Sequence, residues 1–379
     1  MDLTLSEEQR LLRESAERFV TENFSAERRR RMANDPLGYS KEIWKQFAEL
    51  GWLALPISEA HGGLGGGAIE ISLLMEAFGR GLVSEPYLST IVLGADLIER
   101  CGSEAQKEGF LPQLAEGALT LAFAHSERAA RFDLAHVQTT ARKMPDGWHL
   151  DGSKIAVIDG GSAAQLIVSA RVAGNNGSSG NLCLFLVPAA GLVLQDYQRL
   201  GGGRGCNLEL KDVPLPADAL LGDGSDALPA IEAVVDRAMA ALGAEAVGIM
   251  QTLLDTTLEY TKIRKQFGRP LAANQVIKHR LADMAIQTDE ARSMALRAAL
   301  MADAEPATRS RAASAAKAKI GKCARFVAEQ SVQLHGGMGV TEELDIGAYL
   351  KRIVAFDTLF GGSLHHYRRH AALSGRAQD

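Results

Sequence analysis

The sequence predicts an α+β chain in three parts: an N-terminal helical domain over residues 1–115, a middle β domain over 116–226, and a C-terminal helical bundle over 227–379. Three observations carry that reading. The first third repeats apolar residues at roughly helical spacing, as in Leu3, Leu5, Leu11, Leu12 and Phe19. Near Glu116 the period drops towards two, in short runs separated by Gly, Asn, Pro and Asp. From about Leu228 helical spacing returns in longer segments rich in Ala.

Each part follows from its own residues. In "EIWKQFAELGWLALP", Trp44, Phe47, Leu50 and Trp52 precede a Gly-rich bend, and "AIEISLLMEAFGRGL" and "TIVLGADLIERCG" are short helices ending near Gly. The middle runs are "LTLAFAHS", "VQTTARKM", "GWHLDGSKIAVID", "AQLIVSARV", "NLCLFLVPA", "GLVLQDYQ" and "NLELKDVPLP". No helix-length segment separates them, so the expected sheet is antiparallel, a barrel or sandwich. The segment from Leu228 to Gly268 predicts a helix of nearly forty residues with room for one bend. Two more long helices follow, and their small side chains allow the close approach of a four-helix bundle. A final helix is expected after Thr341, where Glu342 and Glu343 suit a helix N-terminus, and it stops at Gly361. Apolar residues on more than one helix face point to self-association.

Composition narrows the function classes. The chain is 46% hydrophobic and 23% charged, with a formal charge of -5, which does not suit a nucleic-acid surface. No apolar run reaches the length of a membrane span, and the charged, amphipathic start does not read as a signal peptide. Cys101, Cys183, Cys206 and Cys323 are scattered without a CxxC pair, which reads as reduced thiols in a cytoplasmic protein. None of the histidines falls in a zinc-binding pattern, so no metal is expected.

Single motifs remain ambiguous. Gly63 to Ala68 formally matches GxGxxA, but no hydrophobic strand precedes it, so it reads as a turn or lid-like loop. "LGGGRGCN" is a loop between strands. "RKQFG" (264–268) and "QLHGGMG" (333–339) sit at helix ends, where each is either a cap or a ligand site. An Arg there can clamp phosphate oxygens, and paired glycines let backbone approach a ligand. His365 and His366, just past Gly361–Gly362, are either surface residues or neighbours of a ligand.

Taken together the pieces resemble the acyl-CoA dehydrogenase family over essentially the whole length. They occur in family order: "WKQFAELGWLALPISEAHGGLGG" at 44–66, "AFAHSE" at 122–127, "LDGSKIAVIDGG" at 150–161, "AVGIMQTLLDTTLEYTKIRKQFGRPLAANQVIKHRLADM" at 246–284 and "SVQLHGGMGVTEE" at 331–343. The resemblance implies FAD at a subunit interface, an acyl-CoA thioester beside the flavin, and electron-transferring flavoprotein as the electron acceptor. A carboxylate would take the Cα proton while hydride passes from Cβ to the flavin. It further implies that Arg264 contacts the pyrophosphate of a neighbour's FAD, with Phe267, Gln275, Gln333, Gly336 and Gly337 facing the same cofactor. Phe123, His125 and Ser126 would approach the flavin ring, and Ser363 and His365 its adenine half.

The departures from the family pattern are as informative. Nine positions after an Arg, many members carry a Glu-Gly-Thr triplet whose Glu is the base. Counting from Arg352 reaches Gly361, so "GGS" stands there. Members with the base on the first C-terminal helix align it with Ala238, which leaves Asp236 and Asp357 as weak substitutes. On the substrate side "EPGxGSD" reads "ERAARFD", placing Arg131 and Phe132 where small residues are usual. "WIT" reads "AVI", ending in Ile158, so the threonine donor near the flavin is lost. Changes on both sides of the flavin resemble the small subunit of pimeloyl-CoA-type or other heteromeric bacterial dehydrogenases. The remaining expectations are an active homotetramer with a non-standard base, or a non-catalytic assembly relative.

Overall fold

The computed structural model describes residues 4–173, 179–341 and 343–375. The N-terminal helices are α1 (Glu7–Asn23), α2 (Ala26–Ala33), α3 (Lys41–Glu49), α4 (Ala68–Gly81), α5 (Asp96–Cys101) and α6 (Glu104–Ala115). α1 starts with a capping box between Ser6 and Gln9. These helices close over an aromatic core in which Phe47 and Phe78 stack at 5.0 Å and Trp52 packs against both. The expected helix in "TIVLGADLIERCG" instead contains a π-helical stretch, Leu88–Ala95, that runs into α5.

The middle region is one seven-stranded sheet: β1 (Leu121–Ala124), β2 (Thr140–Met144), β3 (Gly147–Ile158), β4 (Gln165–Ala173), β5 (Ser179–Pro188), β6 (Val193–Gln198) and β7 (Arg204–Leu215). The β2–β3, β3–β7, β6–β7 and β4–β5 pairs are antiparallel as expected, but β1 and β2 both pair with β4 in parallel. Parallel neighbours need a long connection rather than a helix as such. Here the β2–β3 hairpin lies between β1 and β4 in the chain, so period-2 runs alone gave no sign of it.

Three long helices build the C-terminal region: α7 (Leu228–Ile263), α8 (Gln275–Leu300) and α9 (Pro306–His335). α7 is continuous over 36 residues. It meets α4 at glycines on both helices: a Cβ at Gly79 would lie 2.0 Å from Glu245 O, and one at Gly248 would lie 1.9 Å from Glu76 O. Two backbones in contact this close fix the N-terminal helices on the bundle. The final helix differs from expectation. It is α10 (Ile346–Thr358), beginning well after Thr341, and Glu342 lies outside the described residues. Beyond the double glycine the chain turns helical again as α11 (Ser363–Gly375), which packs on α9, so two short helices occupy the fourth place in the bundle. Among the described residues, no helix is long and apolar enough to cross a membrane.

Candidate functional site

The turn between α10 and α11 is tied down from both sides. Asp357 Oδ1 accepts from the Ser363 amide at 3.3 Å and its hydroxyl at 3.0 Å, which caps α11. Lys317 on α9, 1% exposed, donates to the carbonyls of Phe356 (2.8 Å), Gly361 (3.0 Å) and Asp357 (3.3 Å). Its ammonium also stands 4.3 Å from the Phe356 ring centroid. Burial pushes its pKa down to about 8, against the attraction of Asp357, so the group remains largely charged at neutral pH.

Gly361, at φ +110°, sits where side-chain-bearing residues are strained. A Cβ built there would lie 2.5 Å from His365 Cδ2 and 3.1 Å from His366 Nε2. The direction in which a catalytic side chain would leave this backbone is therefore filled by imidazoles of α11. His366 Nε2 is 3.0 Å from Phe360 O, and the Phe132 ring, from the loop after β1, lies 5.2 Å from His365. Arg131 beside it is exposed, at φ +52°. His365 thus contacts Phe132 and crowds Gly361, and Ser363 bonds to Asp357, so both residues expected near an adenine are engaged inside the chain.

Neither substitute base is idle. Asp357 is the cap just described. Asp236, its side chain wholly buried, accepts from Ser310 Oγ (2.7 Å), Arg309 Nε (3.1 Å) and Arg369 (3.0 Å), joining α7, α9 and α11. Removing such a carboxylate would leave buried cations unpaired, which marks a structural ion cluster.

Where the three regions meet, Arg352 on α10 reaches all of them. Its Nε donates to Glu245 of α7 at 2.7 Å, and its other nitrogens stand 3.4 Å from the carbonyls of Gly201 and Val83. The cavity left beside it is about 30 Å³ and is lined by Glu85, Ile158, Asp159, Arg199, Glu245 and Arg352, among others. Burial raises the pKa of Glu85 and of Asp159, and Ser89 donates to Asp159 at 2.7 Å. A space this small holds about one water, whereas ligand pockets run to roughly 300–1,000 Å³. Its walls mix these charged groups with Leu88, Leu242, Phe356 and Leu359.

The residues expected against the flavin ring are closed in as well. Phe123 and His125 are 9% and 7% exposed, with rings 5.2 Å apart. His125 Nδ1 is 2.9 Å from Ser169 Oγ, and burial, aided by Lys154, pushes its pKa down to about 3. Lys154, with no exposed side chain, donates to Glu127 at 2.7 Å, to Ser169 at 3.0 Å and to His125 O at 3.2 Å. Burial alone would raise the Glu127 carboxyl. Lys154, Thr139 and the Gln138 amide outweigh it and hold that pKa low. Ser126 accepts from the Ile155 amide through its carbonyl.

The outward elements look different. After α7 the short strands β8 (Lys265–Gln266) and β9 (Arg269–Pro270) form a hairpin whose tip, Phe267, is 98% exposed. Arg264 is also exposed, and its amide bonds to Tyr260 O at 2.9 Å. Gln275 opens α8 on the surface, and Gln333 is exposed at the end of α9. A Cβ at Gly336 or Gly337 would meet nothing within 4 Å. Planar guanidinium and bare backbone in reach of solvent suit an anionic, flat ligand brought from outside.

A helical cap, a mixed β sheet and an Ala-rich bundle, with paired outward loops on the bundle, make up the scaffold. The comparisons identify its class: the N-terminal, middle and C-terminal domains of acyl-CoA dehydrogenase, a flavoprotein oxidoreductase, match residues 6–118, 122–213 and 229–372. The chain belongs to the acyl-CoA dehydrogenase family. Probable acyl-CoA dehydrogenase YngJ of Bacillus subtilis is 32% identical over 361 residues, covering 93% of each chain. The solved butyryl-CoA dehydrogenase of Megasphaera elsdenii superposes with a TM-score of 0.89 at 29% identity, covering 98% of this chain and 99% of that one. The ChsE4-ChsE5 complex of Mycobacterium tuberculosis superposes at 0.87 with 25% identity, covering 98% of each.

Lys317 and Glu245 escaped the sequence reading as site-defining residues, and Arg352 entered it only as the point from which Gly361 is counted. For Lys317 a signal existed: it lies among Ala313, Ala316 and Ile320 on what is otherwise an apolar helix face.

Proposed function

We propose that this chain is a subunit of a heteromeric FAD-dependent acyl-CoA dehydrogenase. A sister chain bearing the Glu-Gly-Thr triplet supplies the base and the flavin pocket. This chain lends Arg264, Phe267, Gln275, Gln333, Gly336 and Gly337 to the sister's FAD. The acyl-CoA thioester is then oxidised in the sister's pocket, and electrons leave to an electron-transferring flavoprotein. The observation that carries this reading is the Gly361 turn, whose positive φ and close imidazole neighbours crowd the place of the missing carboxylate. The charged cavity of about 30 Å³ beside Ile158 supports it from the other side. In the outer elements the fit to FAD is good; in the inner cleft it is not.

Native mass spectrometry with flavin quantification tests the reading, on the chain alone and coexpressed with a Glu-Gly-Thr homologue. The expected result is little FAD alone and a flavin-loaded mixed oligomer on coexpression. A chain that purifies yellow by itself and bleaches anaerobically with acyl-CoA would instead be an active homo-oligomer with an unrecognised base.

A further inference from the structure

Both outward elements spring from one pair of rings. Tyr260 lies in the last turn of α7 and His335 is the last residue of α9, and their rings stack at 4.3 Å with 28° between planes. Tyr260 Oη lies 3.4 Å from His335 O, while Tyr260 O receives the Arg264 amide at 2.9 Å. On the other side His335 runs straight into Gly336, whose amide bonds back to Gln333 O. Below the rings, Ser331 Oγ meets Thr257 Oγ1 at 2.8 Å, a second rung between the same two helices.

His335 is 3% exposed. Its Nδ1 donates to Ser331 O at 2.8 Å, and its Nε2 is buried with no hydrogen-bond partner. A neutral imidazole with one edge anchored and the other bare is an unusual use of a buried histidine, since polar atoms there are normally paired. As a flat spacer it is well suited, because both its height and its tilt against Tyr260 are set.

We propose that the Tyr260–His335 stack is the joint that sets the spacing between the Arg264 hairpin and the Gly336–Gly337 turn, which makes His335 a positioning residue for a partner's flavin nucleotide. The cofactor half of this inference rests on the heteromer reading; the joint itself does not.

The test has two arms, using Tyr260→Leu, His335→Leu and the ring-preserving His335→Phe, each checked for an unchanged circular-dichroism spectrum. In the first, hydrogen exchange is measured on the chain alone. Losing the stack is expected to speed exchange about tenfold in residues 265–270 and 336–340 together, with His335→Phe near wild type. Acceleration in one segment only, or in neither, overturns the joint. In the second, FAD release is followed from the coexpressed mixed oligomer. His335→Leu is expected to weaken FAD about tenfold and His335→Phe to restore it. If wild-type oligomer holds FAD and His335→Leu holds it equally well, the positioning role is wrong while the heteromer reading stands. If wild-type oligomer holds no FAD, the heteromer reading fails and takes the positioning role with it.

Discussion

The Arg264–Gly268 hairpin and the Gly361 turn both belong to the C-terminal bundle, yet they treat space in opposite ways. The hairpin puts a phenylalanine almost wholly into solvent and has an exposed arginine, Arg264, at its base. The turn packs a lysine and a histidine into the interior, beside a half-buried aspartate, and gives each one specific partners. The exposed tip contributes nothing to the core of its own chain. Lys317, Asp357, Ser363 and His366 all find their partners inside the chain. One scaffold thus presents exposed side chains at one helix end and closely packed ones at another.

Acid should break the inner region first and hardest. Burial depresses the pKa of both His366 and His125 to about 3, far below their value in an unfolded chain. As pH falls below about 6.5 the unfolded chain takes up these protons before the folded one, so stability is lost progressively down to about pH 3. The slope is up to about 1.4 kcal/mol per pH unit for each histidine, and urea melts across pH 4 to 7 measure it. His366→Phe should flatten that dependence.

Lys317→Met comes next. It strands the carbonyls of Phe356, Asp357 and Gly361, and a loss of about 3 kcal/mol is expected in denaturant melts. Gly361→Ala should cost about 2 kcal/mol, through positive φ and contact with His365. Gly361→Glu should be no better and should not restore dehydrogenation in a flavin-loaded oligomer; pairing it with His365→Ala sharpens the comparison by relieving the crowding. The smallest effect on folding falls at the hairpin. Phe267→Ser should stay within about 0.5 kcal/mol of wild type, yet reduce the mixed oligomer seen by native mass spectrometry.

The succession of helix, strand and helix was legible because periodicity is local: Trp44, Phe47 and Trp52 mark one face wherever the chain later goes. The parallel pairing of Leu121 with Gln165 was not, because register between distant strands leaves no local trace. α11 was missed because "SLHHYRRHAALSG" shows little apolar rhythm, being held instead by His366 and by Arg369 reaching Asp236. Position 361 could be counted off in the sequence, but a sequence letter carries no φ. Its left-handed backbone and its imidazole neighbours emerged only with the structure.

Gly361 also ties two elements together. With φ at +110° and imidazoles against its Cβ direction, a side chain at this position fits only if the backbone and the rings of α11 move together. A single substitution there tests two elements at once.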